Sequence, residues 1–591
     1  MNTTLKRPIT WNRNSRNRCT ARGSARAAGS LLALIVCGCN LTDPSPFDPR
    51  GLQRDSRAAA ADVAAPSKRP LPTTLQSPFV NGKASTKPSI DDNTGLPLGT
   101  EPTVRLSLQE VIQRAISNNG EIRVAGYTPA IDETRVIEAE SRFDLTFFSN
   151  AGVDRTATGT AFDVAGQGFT TYSLDAGLRQ NLPSGGQIEL RQRNSITNPG
   201  DPGQFGSSTS TRGSVYVNDL QLQLQQPLLR DFGNEINRAR ISINRNNQKI
   251  SILEFRRQIE ETISQLERDY WQLVQAEREL RIQERLLQRT IDTAFILLQR
   301  GGEDVTQVQI SQANASVEAR RSELIRARAR VRDLSDSIKR AMQDPTMPVS
   351  SPLVVLPATP PVEQPVKIEL ADVVASAFEN RFELGQQTLR VDNAGIASKV
   401  AKNNLLPQLN LQETGSIQGV DPQYIDALAG QPTFEDYGFN VALQFEIPIG
   451  NRGARAIYQR AMLQRMQAIE QYRSLIAQVE LEVKQAWREV DTTWNEIAAN
   501  RQARFAAADA LAAIERRARG GEPLVPTFVQ LTLDRQEALA QAERAEAQAI
   551  SAYNIAIARL ELAKGTLLRY NNILIEEEDM PFVKTMGYNG R

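Results

Sequence analysis

Few residues in this sequence could carry out catalysis or hold a metal ion. The three cysteines are Cys19, Cys37 and Cys39, all near the start, and there is no histidine. The absence of histidine excludes Ser-His-Asp and Cys-His nucleophiles as well as histidine metal ligands. Carboxylate pairs could do acid–base chemistry, but 68 acidic residues make chance pairs common. No glycine-rich phosphate loop is present. We therefore predict no enzyme activity, no cofactor and no metal site.

The N-terminal segment has the features of an export signal. Residues 1–38 hold seven basic residues and no acidic one, and the apolar run 27–36 follows the basic stretch. This order is typical of a secretory signal peptide, and the run is too short to span a bilayer. Residues 36–39 (VCGC) resemble a bacterial lipobox, in which the last cysteine receives lipid. We predict lipidation at Cys39; an ordinary cleavage site with an incidental cysteine is the alternative.

The rest of the chain is mildly acidic. Without the signal it holds 62 basic and 68 acidic residues, which argues against a nucleic-acid partner. Residues 40–100 are rich in proline, serine, alanine and aspartate and show little periodicity. They predict a flexible tether, which would suit a protein anchored at a membrane surface.

Two halves of the remaining sequence are similar. Segments 106–122 (LSLQEVIQRAISNNGEI) and 368–384 (IELADVVASAFENRFEL) match at equivalent positions and both predict the start of a helix. Each half continues with strands, a proline (Pro227 or Pro448) and a long helix that ends in Arg-Gly-Gly. The sequence therefore predicts two internal repeats.

The two long helices have nearly equal predicted lengths. Gly233 and Arg300 are 67 positions apart, and Gly450 and Arg519 are 69 positions apart. At 1.5 Å per residue such helices would be roughly 100 Å long, far longer than most globular helices. A coiled-coil-like apolar seam is predicted along the first at Phe255, Ile259, Ile263, Leu266, Tyr270, Leu273, Leu280, Leu287, Ile291, Ala294 and Leu298. A further helix follows each Gly-Gly.

Several segments alternate apolar and polar residues. Residues 437–447 (YGFNVALQFEI) are the clearest case, and residues 220–225 and 408–412 show the same pattern. Alternation predicts a strand with one apolar face. About 9–11 such residues can cross a membrane with lipid on one side and water on the other; half-buried strands of a soluble sheet are the alternative. Open strand edges cannot face lipid, so membrane strands of this number would require several chains to share one barrel.

This arrangement resembles the TolC-like outer membrane efflux family over residues 104–570. The resemblance rests on the two repeat openings, Pro407 before a strand, Pro227 and Pro448 at strand ends, and the two Gly-Gly turns. It implies a mainly α fold with membrane β: long coiled-coil-like helical hairpins in a periplasmic α-barrel, and strands in a shared outer-membrane β-barrel. It also implies a homotrimer in the cell outer membrane that extends into the periplasm.

The same resemblance implies a transport function. Family members are passive ducts that receive drugs, metals or proteins from an inner-membrane transporter through a periplasmic adaptor. The alternative is a structural coiled-coil envelope lipoprotein without transport activity. A surface hydrolase with two carboxylates is a further alternative, but no local constellation of residues supports it.

The resemblance also implies domain boundaries. The expected domains are a lipoprotein signal peptide (1–38), a lipidated N-terminus and flexible linker (39–103), a first efflux repeat (104–343), a Pro-rich joint (344–366), a second efflux repeat (367–570) and a C-terminal tail (571–591). Residues 105–142 and 303–343 are expected to form a stacked pair of shorter helices. The joint and the segment after Leu568 are expected near the equator of the tunnel.

The periplasmic turns are the implied site of adaptor contact or gating. The candidate residues are Arg300, Gly301, Gly302, Glu303, Asp304, Arg519, Gly520, Gly521 and Glu522. Some family members narrow the entrance with an aspartate after the turn, whereas this chain has Gln307 there in one half and Pro526 or Thr527 in the other. The three acidic residues of the set could instead form a negative ring that favours cations. The alternative is that they begin the next helix and complement its dipole.

The first half contains an additional candidate hairpin. It comprises Tyr172–Leu182, a turn at Ser184–Gly186 and Gln187–Ser195, and Gly-Gly at such a point is a strong turn signal. We predict an outward-facing extension; a larger number of strands in the sheet is the alternative.

Overall fold

The computed structural model describes residues 101–157, 168–199, 213–300, 305–520 and 525–573. The predictions for the signal, Cys39, the tether and the C-terminal tail beyond residue 573 concern residues outside these ranges.

Strands and helices occur in blocks along the chain. The strands are β1 (Thr103–Leu106), β2 (Thr146–Ala157), β3 (Gly168–Asn181), β4 (Gln187–Pro199), β5 (Val215–Pro227), β6 (Val354–Pro357), β7 (Gln408–Asp421) and β8 (Asp436–Glu446). The helices are α1 (Leu108–Asn118), α2 (Gly120–Glu140), α3 (Asn234–Asn237), α4 (Ala239–Gln299), α5 (Gln307–Met342), α6 (Leu370–Asn380), α7 (Phe382–Asn403), α8 (Tyr424–Gly430), α9 (Arg452–Arg519), α10 (Pro526–Lys564) and α11 (Leu567–Tyr570). Two short helices, several strands, a long helix and a shorter helix thus follow one another twice.

Six strands form one antiparallel sheet in the order β2-β3-β4-β5-β7-β8. The predicted hairpin is present as β3 and β4, but its prediction as an outward-facing extension is wrong. β3 pairs with β2 along Gly168–Arg179, and β4 pairs with β5 along Gln187–Thr197. The hairpin is therefore built into the sheet, because both of its strands have a full-length partner on their outer side.

The predicted seam of the first long helix is buried over most of its length. Phe255 through Leu280 lie in the main apolar core, but at the far end Leu298 is 61% exposed and Leu297 is 1% exposed. A straight helix drifts by about 20° per heptad from a 3.5-residue repeat. Over the roughly six heptads of this seam the drift moves the contact line onto the neighbouring residue. No helix in the described ranges is long and apolar enough to cross a membrane.

Each repeat opening forms two helices, where the sequence predicted one. In the first half the break is at Asn119, whose backbone is extended and whose side chain accepts hydrogen bonds from the N–H groups of Glu121 and Ile122. Such side-chain capping satisfies N–H groups that a helix start leaves free. In the second half the break is at Arg381, which is also extended.

The main core lies where the two halves meet. β1 and β6 pair in parallel, Thr103 opposite Val354 and Leu106 opposite Pro357. Their side chains pack with α1, with the middle of α4 and with Leu567 and Leu568. The Pro-rich joint, α11 and the first residues of the described chain therefore belong to one apolar core.

Candidate functional site: a two-faced sheet, helical tips and a central joint

The six-stranded sheet has two faces of different character. One face carries apolar side chains that are exposed on the isolated chain: Phe147, Leu174, Leu178, Leu190, Leu222, Phe439, Val441 and Leu443. The register places them in cross-strand rows, for example Leu178 opposite Leu190 and Leu190 opposite Leu222. The other face carries serine, threonine, glutamine and charged residues. A sheet with one exposed apolar face and one polar face can stand between lipid and water.

The two edges of this sheet have no partner strand within the described chain. β2 and β8 are the terminal strands, and every residue of β8 is exposed. Phe439 on β8 is 75% exposed. Unpaired backbone groups on a long apolar edge strand are a template for pairing with another chain.

The polar face holds a set of charged side chains on β3 and β4. Glu189 is buried between two arginines and accepts a 2.8 Å hydrogen bond from Nε of Arg179 and a 2.9 Å hydrogen bond from Nε of Arg191. The Arg179 guanidinium also lies 4.9 Å from the centroid of the Phe148 ring. Phe148 in turn covers Gly177, where a Cβ would meet the ring at 2.7 Å. These contacts cross-link three neighbouring strands on one face.

Both strand-to-helix junctions are held by the last residue of α7 and the segment between α7 and β7. Pro227 is the last residue of β5. After it, the N–H of Asp231 donates to Oδ1 of Asn403 at 2.7 Å. In the second half β8 ends at Glu446, two residues before Pro448, and the side chain of Asn451 donates to the carbonyl of Leu405 at 3.1 Å. The junctions that follow Pro227 and Pro448 are therefore both hydrogen-bonded to residues 403–405.

The helical tips pack together through a separate apolar cluster. Leu297 at the end of α4 and Ile514 near the end of α9 contact residues at the starts of α5 and α10. Phe528 is the largest of these, and the Arg517 guanidinium lies 5.7 Å from its ring centroid. Arg300, Arg519 and Gly520 end the long helices, whereas Gly301, Gly302, Glu303, Asp304, Gly521 and Glu522 lie outside the described residues.

The starts of the return helices bear on the role of the acidic residues. α5 begins at Gln307 with Thr306 as its cap, in a reciprocal arrangement with Gln309. α10 begins at Pro526. The first turns of both helices lack acidic residues. Glu303, Asp304 and Glu522 lie outside the described residues, so the negative ring and the helix-dipole alternative both stay predictions.

In both halves, the end of the return helix (α5 or α10) contacts the break between the two short helices. The side chain of Asn119, between α1 and α2, donates to the carbonyl of Ala341 at the end of α5 at 2.8 Å. In the second half, Gly565 ends α10 with φ +69°, and a Cβ there would lie 2.9 Å from the backbone of Asn380. Only glycine combines this φ with such a close approach. Each half thus places the end of its return helix against the break between its two short helices.

Tyr270 of α4 connects the joint to the core. Its ring is fully buried, and its hydroxyl donates to the carbonyl of Leu106 at 3.0 Å. The same oxygen accepts hydrogen bonds from the N–H groups of Ala358 and Thr359 at 3.1 and 2.9 Å. One side chain therefore ties the long helix to both β1 and the segment after β6. The sequence identified Tyr270 only as a seam residue.

Buried carboxyl groups hold the last residues of the described chain. Glu267 accepts a 2.6 Å hydrogen bond from the side chain of Asn571, and burial raises the pKa of Glu267 to about 7. Glu260 lies seven residues, or about two helical turns, before Glu267 in α4. Burial, with the nearby charge of Glu383, raises the pKa of Glu260 to about 8. Within the described ranges, no cluster of three acidic or cysteine side chains could hold a metal ion.

The raised pKa of Glu260 predicts a pH-dependent stability. Because the folded chain holds this proton more tightly than the unfolded chain, this group lowers stability as the pH rises from about 4.5 towards 8. We expect Glu260→Gln to melt at a higher temperature than the unmodified protein at pH 9 and at nearly the same temperature at pH 4, below the ordinary pKa of a glutamate. Glu261→Gln, at an exposed neighbour paired with Arg257, is the control. Equal melting temperatures of Glu260→Gln and the unmodified protein at pH 9 would contradict the assignment.

Solved structures of bacterial outer-membrane channels are similar to this chain. VceC of Vibrio cholerae matches with a TM-score of 0.55 and 16% identity, covering 78% of this chain and 96% of its own. MtrE of Neisseria gonorrhoeae, in its open state, matches with a TM-score of 0.56 and 16% identity, covering 78% and 90%. CusC matches with a TM-score of 0.55 and 14% identity, covering 85% and 99%. The chain has the TolC-like channel fold.

Sequence comparison adds nothing to this likeness. No protein-family model matches the sequence and no curated protein does. The TolC-like fold accounts for the predicted class, mainly helical with a smaller number of strands. Because nearly the whole length of each channel chain is covered, the likeness includes both the helices and the sheet.

Proposed function

We propose that this chain is the outer-membrane channel component of a tripartite efflux or type I secretion system. It would conduct substrates passively from an inner-membrane transporter and a periplasmic adaptor to the outside. The observation that carries the proposal is the sheet, with one exposed apolar face, one polar face and two unpaired edges. The structural-spacer alternative leaves the exposed apolar face unexplained.

The proposal includes a homotrimer. One chain cannot close its own sheet, since β2 and β8 are both terminal, and open edges are not tolerated in lipid. In a ring of three copies, β8 of one chain would pair with β2 of the next. The helices would continue the wall into the periplasm as two internal repeats per chain.

The proposal places a lipid anchor and two contact regions along the chain. Cys39 would carry the lipid, the segment 39–103 would be the tether, and repeats 104–343 and 367–570 would flank the joint 344–366. The tips at Arg300–Asp304 and Arg519–Glu522 would contact the adaptor. The likeness to outer-membrane channels supports an outer-membrane location for the sheet and a periplasmic one for the helices.

Single-channel recording in a planar bilayer tests the proposed function. The purified trimer should form stable, water-filled pores. A closed tip could hide them, so Phe528→Ala, which removes the largest side chain of the tip cluster, should be recorded in parallel. Trimers that insert but stay silent in both forms would contradict the channel and favour the structural spacer.

A negative ring at the tips would make the pore prefer cations. Neutralising Glu303 and Asp304 together, as Glu303→Gln and Asp304→Asn, should shift the reversal potential in a salt gradient towards lower cation preference. Glu318→Gln, an exposed acidic residue of α5 away from the tip, is the control. An unchanged reversal potential would remove the acidic ring from the proposal.

A further inference from the structure

We infer that the β3–β4 hairpin is a widening element in the wall of the pore, which enlarges the membrane end of the duct enough to pass a helical hairpin. The inference rests on the proposed trimeric channel. With the hairpin, three copies of a six-stranded sheet make a wall of 18 strands. Without the hairpin the same three copies would have 12.

The hairpin fits the sheet as a complete unit. Removing β3 and β4 would leave β2 and β5 antiparallel, because each intervening pair is antiparallel. The register is also in phase, since Thr146 lies opposite Arg179, Arg179 opposite Glu189 and Glu189 opposite Gln223. A one-residue slip would have put the polar side chains of the hairpin on the apolar face. The hairpin therefore adds width without disturbing either face or the direction of the edge strands.

The hairpin turn is hydrogen-bonded to the first strand-to-helix junction. The carbonyl of Ser184 accepts a 3.0 Å hydrogen bond from the N–H of Gly233, and the Ser184 hydroxyl donates to Oε1 of Gln226 at 2.9 Å. Gly185 has φ +99°, and a Cβ there would lie 2.2 Å from the carbonyl oxygen of Asp231. A surface loop would not need such a fit. The position of the turn is thus fixed by the end of β5 and the segment between β5 and α3.

The hairpin also supplies most of the charged side chains on the polar face. The Arg179–Glu189–Arg191 group lies across β3 and β4, and Asp175 of β3 pairs with Arg193 of β4 at 3.1 Å. On the opposite face of the same strands, Leu174 and Leu178 are exposed. Strands with water on one side and lipid on the other have this division. Strands standing outside the barrel in water would not need it.

The width follows from barrel geometry. At about 4.8 Å between strands and a tilt of about 40°, 18 strands give a backbone diameter of roughly 36 Å, and 12 strands give roughly 24 Å. Inner side chains occupy about 5 Å on each side, half of the usual spacing between packed sheets, which leaves roughly 26 Å and 14 Å. A helix with side chains is about 10–12 Å wide. The wider mouth would admit a helical hairpin of an exported polypeptide, whereas the narrower one would admit about one helix.

Graded maleimide–polyethylene glycol reagents test this on whole cells. No cysteine occurs after Cys39, so Ser416→Cys, on the polar face of β7, gives a thiol present with or without the hairpin. We expect the largest reagent that reaches it from outside to be smaller when Gly168–Pro199 is deleted. If trimers of both proteins have the same size limit, the inference is overturned while the channel stands. Failure of the full chain to form trimers would instead overturn the proposed function.

A second pair of variants keeps the test valid if the deletion does not fold. Ser173→Cys and Leu174→Cys are neighbours on β3 that lie on opposite faces. In the pore wall, a charged, water-soluble maleimide should label Ser173→Cys from outside and leave Leu174→Cys unlabelled. Equal labelling of both positions would show that the hairpin is not part of the wall and would overturn the inference.

Discussion

Phe439→Arg is expected to abolish insertion of the proposed trimer into the outer membrane. Phe439 lies on the apolar face near the middle of β8, is 75% exposed on the isolated chain and pairs with Gly415. An arginine facing lipid at mid-membrane costs about 2–4 kcal/mol per copy. With one such arginine in each of three copies, the penalty adds up to roughly 6–12 kcal/mol. Membrane fractionation and a semi-native gel for trimers measure the effect.

The neighbouring residue provides the matched control. Asn440 follows Phe439 on the same strand, lies on the polar face and pairs with Thr414. Asn440→Arg adds the same side chain on the water side, so trimers should form in the membrane at close to normal yield. Equal behaviour of the two variants would mean that the sheet does not separate lipid from water.

Tyr270→Phe is expected to loosen the joint between the two halves. The substitution keeps the ring but removes one oxygen that makes three hydrogen bonds, to Leu106, Ala358 and Thr359. The N–H of Ala358 also donates to the carbonyl of Leu106 at 2.9 Å, so only the N–H of Thr359 is left without a partner. A buried backbone group left without a partner costs about 1–3 kcal/mol, and we expect a loss of that size per chain. Hydrogen exchange at Thr359 should accelerate by roughly tenfold or more, and the melting temperature should fall.

Tyr553→Phe is a graded comparison in the second half. Its hydroxyl donates to the carbonyl of Gln364 at 2.7 Å and accepts from the N–H of Val366 at 3.1 Å. Gln364 is exposed and Val366 is only partly buried, so water can replace this hydroxyl, whereas Thr359 is buried. A smaller fall in melting temperature is therefore expected for Tyr553→Phe. If Tyr270→Phe left the exchange of Thr359 unchanged, its hydroxyl would not be what holds the joint.

Local patterns in the sequence predicted the elements that depend on local physics. The alternation at 437–447 became β8, and the Gly-Gly signal became the turn between β3 and β4, where Gly185 needs its positive φ. The long helices followed from unbroken helical periodicity. In these cases one segment contains both the signal and the structure that it produces.

Features that depend on distant segments were missed or misplaced. The pairing of β1 with β6 joins residues about 250 positions apart, and each strand has only four residues, too few for a periodic signal. The hairpin was recognised, but its place in the sheet depends on the neighbours that β2 and β5 provide. β2 itself was not predicted, because Phe147 and Phe148 are adjacent and obscure the alternation.

The unequal division of strands has a consequence for symmetry. The first half contributes four strands to the sheet and the second half two, whereas each half contributes one long and one returning helix. Three copies would therefore have six nearly equivalent helical hairpins below a strand ring with only three-fold symmetry. The segments that connect the strands to the helices must accommodate this difference in symmetry. The two strand-to-helix junctions accordingly differ in length. The first runs from Pro227 to Ala239 and includes α3, whereas the second runs directly from Glu446 to Arg452.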